Sequence, residues 1–406
     1  LEALDRAAER KPAAFYDKSN ARRLFGDDMW LSASRIESYY RCKFAYFCKY
    51  GLKAEPRRTA DLDALAFGTL THFVMERVLP EYAREGFENI DRTRVLADAE
   101  DAVNQYVAET MGGLEDKPGR FAALLNRLVR ISGALLWQVV RELRQSRFMP
   151  VDFELSVGGQ PEDDKPSIPP VVLSLPDGGR VRVQGKIDRV DVYRRDGISY
   201  VRVVDYKTGS REFSLYDISL GLNLQMLLYM IALTQGSDSD FSGFFPAGIL
   251  YMKAGFLECA EEAETGYSPL SDDSVKRLKL CAAQLKRSGL IVEDDSAIEA
   301  MDSGFSGWYA PVVRNKDGSY SKHSSLISQA SFKLLEDFAL QKVREFGNGL
   351  IIGKISPIPC GRDPKHLACA YCDYSSVCDR RKYMYRLISS ADGDKLRTAI
   401  SVKEDA

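Results

Sequence analysis

The sequence predicts an α/β protein, with a mixed sheet of about five strands, a helix behind it and an all-helical lobe in front. Three observations carry this prediction. Apolar residues recur at helical spacing over about 65–78, 91–111 and 120–146. At Pro150 the period drops to two, and Val151, Phe153, Leu155 and Val157 alternate with polar neighbours. Beyond that, β-rich runs at 171–175, 181–193 and 199–207 precede an apolar helical run at 217–233 and a strand at 248–252.

In chain order, residues 1–30 read as a polar lead-in of helix and loop. Residues 31–149 form the helical lobe, opened by a capping box in which Ser34 and Glu37 start a helix that runs to Tyr50 and stops at Gly51. Residues 150–260 hold the sheet and its helix, with Pro176-Asp177-Gly178-Gly179 as a hairpin turn. Residues 261–355 form an insertion with helices at 272–287 and 325–345. Between these helices, 288–323 reads as loops with one hairpin around Asn315-Lys316-Asp317-Gly318. In the last segment, 356–406, Pro357 and Pro359 force extended chain before a cysteine cluster and a basic tail.

Composition narrows the classes. With 406 residues, 45% apolar and 28% charged, the chain is no disordered segment, coiled coil or disulfide miniprotein. The best apolar run, Leu222 to Leu233, contains Asn223 and Gln225 and falls short of the roughly 18 residues of a membrane span. The first 30 residues mix both charge signs, so a cytoplasmic protein without a signal peptide is expected. Lys and Arg number 56 against 58 acids, so any affinity for nucleic acid must come from local patches. No phosphate-cradling G-x-x-x-x-G-K-[ST] loop occurs, which predicts that this chain binds no ATP.

The sharpest chemical signal is Asp205-Tyr206-Lys207 at a predicted strand end. Side chains alternate along a strand, so Asp205 and Lys207 share a face while Tyr206 points away. Alone, Asp-x-Lys is a weak signal that reads first as a surface ion pair. The preceding strand adds Gly185-Lys186-Ile187-Asp188-Arg189, and the following helix carries Gln225 and Tyr229 one turn apart. Two carboxylates aimed at one point repel unless a divalent cation lies between them. A lysine beside that cation can orient water or offset charge on a phosphate. Near the C-terminus, Cys369, Cys372 and Cys378 place three thiols within ten residues, a spacing for zinc or an iron–sulfur centre. Cys360, His366, Cys42 and Cys48 are the positions a fourth ligand could come from, and of these Cys48 and Cys360, like Cys259 and Cys281, read as packing.

Together, Gly68-Thr69-Leu70-Thr71-His72, Gly185-Lys186-Ile187-Asp188-Arg189, Asp205-Tyr206-Lys207-Thr208-Gly209 and Gln225-Met226-Leu227-Leu228-Tyr229 resemble the RecB-type branch of the PD-(D/E)XK nucleases. The resemblance implies a restriction-endonuclease-like core. It implies Mg²⁺ or Mn²⁺ held by His72, Asp188, Asp205 and the carbonyl of Tyr206, a catalytic Lys207, and Gln225 and Tyr229 flanking the site. Glu154 stands where this family often has a glutamate. From the residues alone, His72 on its apolar helix reads equally as a structural histidine, and as a ligand it would have to be the neutral imidazole.

The run from Ser32 to Phe47, with the cysteines, resembles the nuclease domain in the B subunits of bacterial AddAB helicase–nucleases. This implies a [4Fe-4S] cluster on Cys42, Cys369, Cys372 and Cys378 that closes the C-terminus onto the N-terminal helices, with zinc as the competing cofactor. Lys43 departs from the proline usual after the first cysteine. The implied function is a Mg²⁺-dependent DNA exonuclease acting on the strand with a 5′ end, in double-strand-break repair and recombination. Its partners would be DNA and an A subunit that carries the ATP motor. Arg380, Arg381, Lys382 and Tyr383 interleave cations with an aromatic and are candidate single-strand contacts. Arg127, Arg130, Arg141, Arg144 and Arg147 form a second, more ambiguous basic stripe. A catalytically inactive DNA- or partner-binding scaffold and a small-substrate metallophosphoesterase are the alternatives, and the intact Asp188, Asp205 and Lys207 argue against the first.

Overall fold

The computed structural model describes residues 15, 17–55, 64–111, 119–159, 166–207, 213–236, 238–254, 286–378, 384–388 and 390–401. Helix α1 (Lys18–Phe25) starts on the Asp17 cap and leads into strand β1 (Asp28–Ser32). Helix α2 (Ala33–Arg41) follows, capped by Ser32, whose hydroxyl accepts from the Arg35 N–H, so the cap lies two residues before the expected Ser34. The expected single helix to Tyr50 is broken. Cys42 is extended, and a short α3 (Lys43–Tyr46) runs on into a π turn at Phe47–Gly51. The helical lobe comprises α4 (Ala64–Glu85), α5 (Arg92–Met111) and α6 (Gly119–Gln145), close to the periodicity.

The sheet contains β2 (Met149–Val157), β3 (Ser167–Ile168), β4 (Val171–Ser174), β5 (Arg180–Arg195), β6 (Ile198–Lys207), β7 (Phe245–Lys253), β8 (Ser288–Val292) and β9 (Leu326–Ile327). Its order is β3-β2-β5-β6-β7-β8-β9, with β1 and β4 added on the first half of β5. The pairing β2-β5-β6 is antiparallel and β6-β7 is parallel, so the sheet is mixed as expected, though larger. Between β6 and β7 the expected continuous helix is two, α7 (Leu215–Ser219) and α8 (Gln225–Gln235). Gly221 at φ +84° and Asn223 at φ +59° make the break, and a Cβ on Gly221 would meet the Tyr40 ring at 2.5 Å.

The 288–323 region holds more than loops: β8 is followed by α9 (Asp295–Met301), capped by Asp294. The turn at Asn315 is present, with Arg314 bridging Tyr320. The expected helix at 272–287 lies almost wholly outside the described residues. Helix α10 (Gln329–Ile351), a small pair β10 (Cys360–Gly361) and β11 (Arg386–Leu387), and α11 (Ser390–Ser401) complete the chain.

Two hydrophobic cores sandwich the sheet. Residues of α2, α8 and α10 fill one face, and residues of α4, α5, α6 and α9 fill the other. No helix among the described residues is long and apolar enough to cross a membrane.

Candidate active site

Three carboxylates stand in one row across β2, β5 and β6. The register pairs Phe153 with Arg189 and Leu155 with Ile187, which sets Glu154 opposite Asp188. Extending the Arg189–Val204 pairing by one residue sets Asp205 opposite Asp188. Directly opposed residues share a face, so the two aspartates point the same way. Glu154 has φ +50°, rare for a residue with a Cβ, and β2 changes faces there: Phe153 packs with the helical lobe while Leu155 belongs to the other core.

His72 reaches this row from α4. Its Nδ1 lies 3.2 Å from Glu154 Oε1 and 3.4 Å from Asp188 Oδ1. Burial disfavours a charged imidazole, but the Glu154 contact and the charges of Asp188, Glu154 and Asp205 outweigh it and lift the His72 pKa to about 9. Burial, then the neighbouring Asp205, pushes the Asp188 carboxyl well above the usual range. These surrounding acids favour the protonated imidazole, whereas a ligating ring is neutral. Asp188 Oδ2 accepts from the Tyr206 N–H at 2.6 Å, which fixes it to the neighbouring strand. The Tyr206 ring is buried on the opposite, helical-lobe side.

On the other flank, Lys207 Nζ lies 2.9 and 2.8 Å from the two Asp205 oxygens and donates to Gln225 Oε1 at 3.2 Å. Gln225 Nε2 donates to Asp205 Oδ1 at 3.1 Å and to the Tyr229 hydroxyl at 3.5 Å. That hydroxyl accepts from the Lys186 N–H at 3.3 Å. Gly185 allows this approach, since a Cβ there would sit 2.3 Å from the Tyr229 oxygen. The sequence-predicted His72, Asp188, Asp205, Tyr206, Lys207, Gln225 and Tyr229 therefore converge. The sequence left Glu154 without a firm role and gave no hint of Lys186, whose Nζ lies 3.5 Å from Glu154 Oε2; register with Asp188 was the available signal.

Behind the row, on the helical-lobe face, lies a buried charge network that sequence reasoning missed. Glu142 of α6 contacts Arg189 at 2.7 Å, Arg202 at 3.0 Å and Arg287 at 2.6 Å, and Asp191 contacts Arg189 at 2.9 Å and Arg202 at 2.8 Å. The basic stripe on α6 is partly structural. Arg144 donates to the carbonyls of Phe87 and Ile90, and Arg147 faces Glu299 at 3.5 Å.

The thiols also gather. Burial, and then the nearby Cys369 and Cys378, push the Cys42 thiol up to about 11, opposed by the N–H groups of Ala45 and Phe44 aimed at its sulfur. Cys48, read from sequence as packing, is buried, and both Cys372 and Cys378 act on it electrostatically. Cys42, Cys48, Cys372 and Cys378 are free thiols. Of the local alternatives, His366 is held by Asp363 at 2.6 Å on an exposed turn, and Cys360 is buried beside Arg386. Arg380, Arg381, Lys382 and Tyr383 lie outside the described residues, as do Cys259 and Cys281.

A mixed sheet sandwiched by helices, with aligned acids and one lysine on neighbouring central strands, defines a metal-dependent nuclease architecture. Residues 30–379 match the family model of the PD-(D/E)XK nuclease superfamily, and the chain belongs to that superfamily. It is 31% identical over 359 residues to the ATP-dependent helicase/deoxyribonuclease B subunit of Caldanaerobacter subterraneus subsp. tengcongensis, covering 88% of this chain and 30% of that protein. The same-named protein of Clostridium tetani is 30% identical over 405 residues, covering 97% of this chain and 34% of that protein. The chain thus spans about a third of the length of the relatives it matches.

PD-(D/E)XK nucleases use divalent metal ions, and the donor set here fits one. Ligand atoms of His72, Glu154 and Asp188 lie within 4.8 Å of one another.

Proposed function

We propose that this chain is the nuclease part of a helicase–nuclease B subunit and hydrolyses DNA phosphodiester bonds as an exonuclease. The observation that carries the reading is the row of Glu154, Asp188 and Asp205 with Lys207 at its end. Mg²⁺ or Mn²⁺ would be held by Asp188, Asp205, His72 and the Tyr206 carbonyl, with Glu154 as a further ligand, and would supply Lewis-acid chemistry at the scissile phosphate. The residues themselves do the positioning. The Tyr206 N–H locks Asp188, and Gln225 holds both Asp205 and Lys207. Lys207 is thereby set to orient an attacking water and to offset phosphate charge. As a ligand, His72 would have to be the neutral imidazole.

The thiol group supports a [4Fe-4S] cluster on Cys42, Cys369, Cys372 and Cys378. Its role would be to fasten the C-terminal segment to α2 and α3, next to the existing bonds from the Tyr374 hydroxyl to the Ala54 carbonyl and from Arg386 to the Tyr40 carbonyl. The relatives' names support membership of a multi-subunit helicase–nuclease. The family resemblance supports an A-type partner, a cytoplasmic setting, a role in break repair and attack on the strand with a 5′ end.

The test is digestion of single-stranded DNA labelled at either end, with and without Mg²⁺, by the parent and by Asp205→Ala, with iron content measured in parallel. Mg²⁺-dependent release of short products by the parent alone is expected. Equal cleavage by both proteins would move catalysis elsewhere, and a colourless, zinc-containing preparation would replace the cluster with zinc.

A further inference from the structure

The first half of β5 runs outward from the acid row and shows one of its sides to solvent. Along it Val181, Val183 and Ile187 are buried in the core shared with α2, α8 and α10, whereas Arg180 and Lys186 are exposed and Arg182 and Gln184 are half-buried. Side chains alternate along a strand, so these last four form one file on the outer side. The register places Trp30 of β1 on one flank of Arg182 and Val172 of β4 on the other. Trp30 is 43% exposed and Val172 45%, and the Arg182 guanidinium stands over the Trp30 ring at 5.1 Å. Arg180 and Arg182 share the carboxylate of Asp28, at 3.4 and 2.8 Å. At the inner end of the file, Lys186 Nζ lies 3.5 Å from Glu154 of the acid row.

We infer that this file is a track that leads a single DNA strand to the acid row, with Arg180, Arg182 and Lys186 on its phosphates and a base stacked on Trp30. The inference rests on the nuclease reading and deepens it by giving that reading's substrate a path. Charge selects a polyanion: two guanidiniums share one carboxylate, and the half-exposed Lys186 ammonium adds a third positive group. The exposed indole selects free bases, because bases inside a duplex offer no open face, whereas those of a single strand stack on aromatic rings. Same-side residues recur about every 6.6 Å along a strand, near the step between phosphates of an extended single strand. The Lys186–Glu154 contact makes the file continuous with the acid row.

Trp30 supplies its own reporter, because the other two tryptophans, Trp137 and Trp308, pack against the helical-lobe core. The experiment titrates the intact chain with oligo-dT of about 16 nucleotides, without added divalent metal, and follows tryptophan fluorescence together with the anisotropy of a labelled oligonucleotide. Oligo-dT should quench the fluorescence, while a duplex or an abasic strand of the same length should not. Trp30→Phe should lose the quench yet bind within about twofold of the parent, and Trp30→Ala should bind about five- to tenfold more weakly. Lys186→Ala should make the slope of log affinity against log salt shallower by about 0.7. An unquenched parent, equal quenching by the abasic strand, or unchanged affinity in both alanine variants overturns the track. If Trp30→Ala does not fold, the exposed Lys186 replaces it, and an unchanged salt slope in Lys186→Ala counts against the track. With Mg²⁺ added, quenching without cleavage keeps the track and removes the nuclease, whereas cleavage without Trp30 quenching keeps the nuclease and removes the track.

Discussion

The two faces of β5 and β6 carry opposite solutions to the same problem of charge near a core. On one face Glu154, Asp188 and Asp205 crowd together, and the groups beside them, His72, Lys186 and Lys207, are all partly exposed. On the other, Glu142 and Asp191 are met by Arg189, Arg202 and Arg287, all buried, so cations exceed acids. Adjacent residues of one strand, Asp188 and Arg189, serve the two faces. An ion network sealed in the core is a structural joint, whereas an acid row whose basic neighbours reach solvent can take a ligand.

This contrast can be broken from either side. The largest effect is expected on the acid face. Asp205→Ala should lower Mg²⁺-dependent cleavage by about a thousandfold or more, and Lys207→Ala by about a hundred- to a thousandfold. Both should keep the parent's thermal midpoint, and loss of stability in either would make the row structural. Next comes the joint: Glu142→Gln leaves three buried guanidiniums with one acid and should cost about 3–5 kcal/mol in denaturant unfolding.

The same residue predicts a pH signature. Although burial opposes it, the three arginines hold the Glu142 carboxyl at about 2, below its unfolded value. Its contribution is therefore complete above the ordinary carboxylate range near about 4.3 and is lost as pH falls towards about 2. Glu142→Gln should show a shallower fall in stability across that window, and an identical slope would show that the joint does not depend on this charge. A smaller change is expected from Glu154→Gln, which should weaken Mn²⁺ binding by about ten- to a hundredfold in calorimetry. Cys42→Ser should lose iron while Cys48→Ser keeps it, and the reverse result would exchange the two in the ligand set.

Much of the acid face could be read from residue order. Asp205 and Lys207 are two apart on a strand, and Gln225 and Tyr229 one turn apart on a helix. Local spacing determines those relations. The charge joint was not legible, because Glu142, Arg189 and Arg287 meet only through tertiary packing and each resembles an ordinary surface residue in sequence. Glu154 was half legible, since its place in the row depends on a strand register and on a left-handed backbone that no propensity favours. The break at Gly221 was missed because apolar residues continue through it, and only the Tyr40 ring demands it.

The thiols carry a consequence for how the molecule is made. Cys42 leaves the ribosome more than 300 residues before Cys369 and Cys378, and before Tyr374 and Arg386, which latch onto Ala54 and Tyr40. During synthesis the side of α2 and α3 that faces the thiols must wait until these residues have emerged. Ribosome-stalled intermediates cut short before Cys369 should therefore expose α2 and α3 to proteases, and release of the finished chain should protect them.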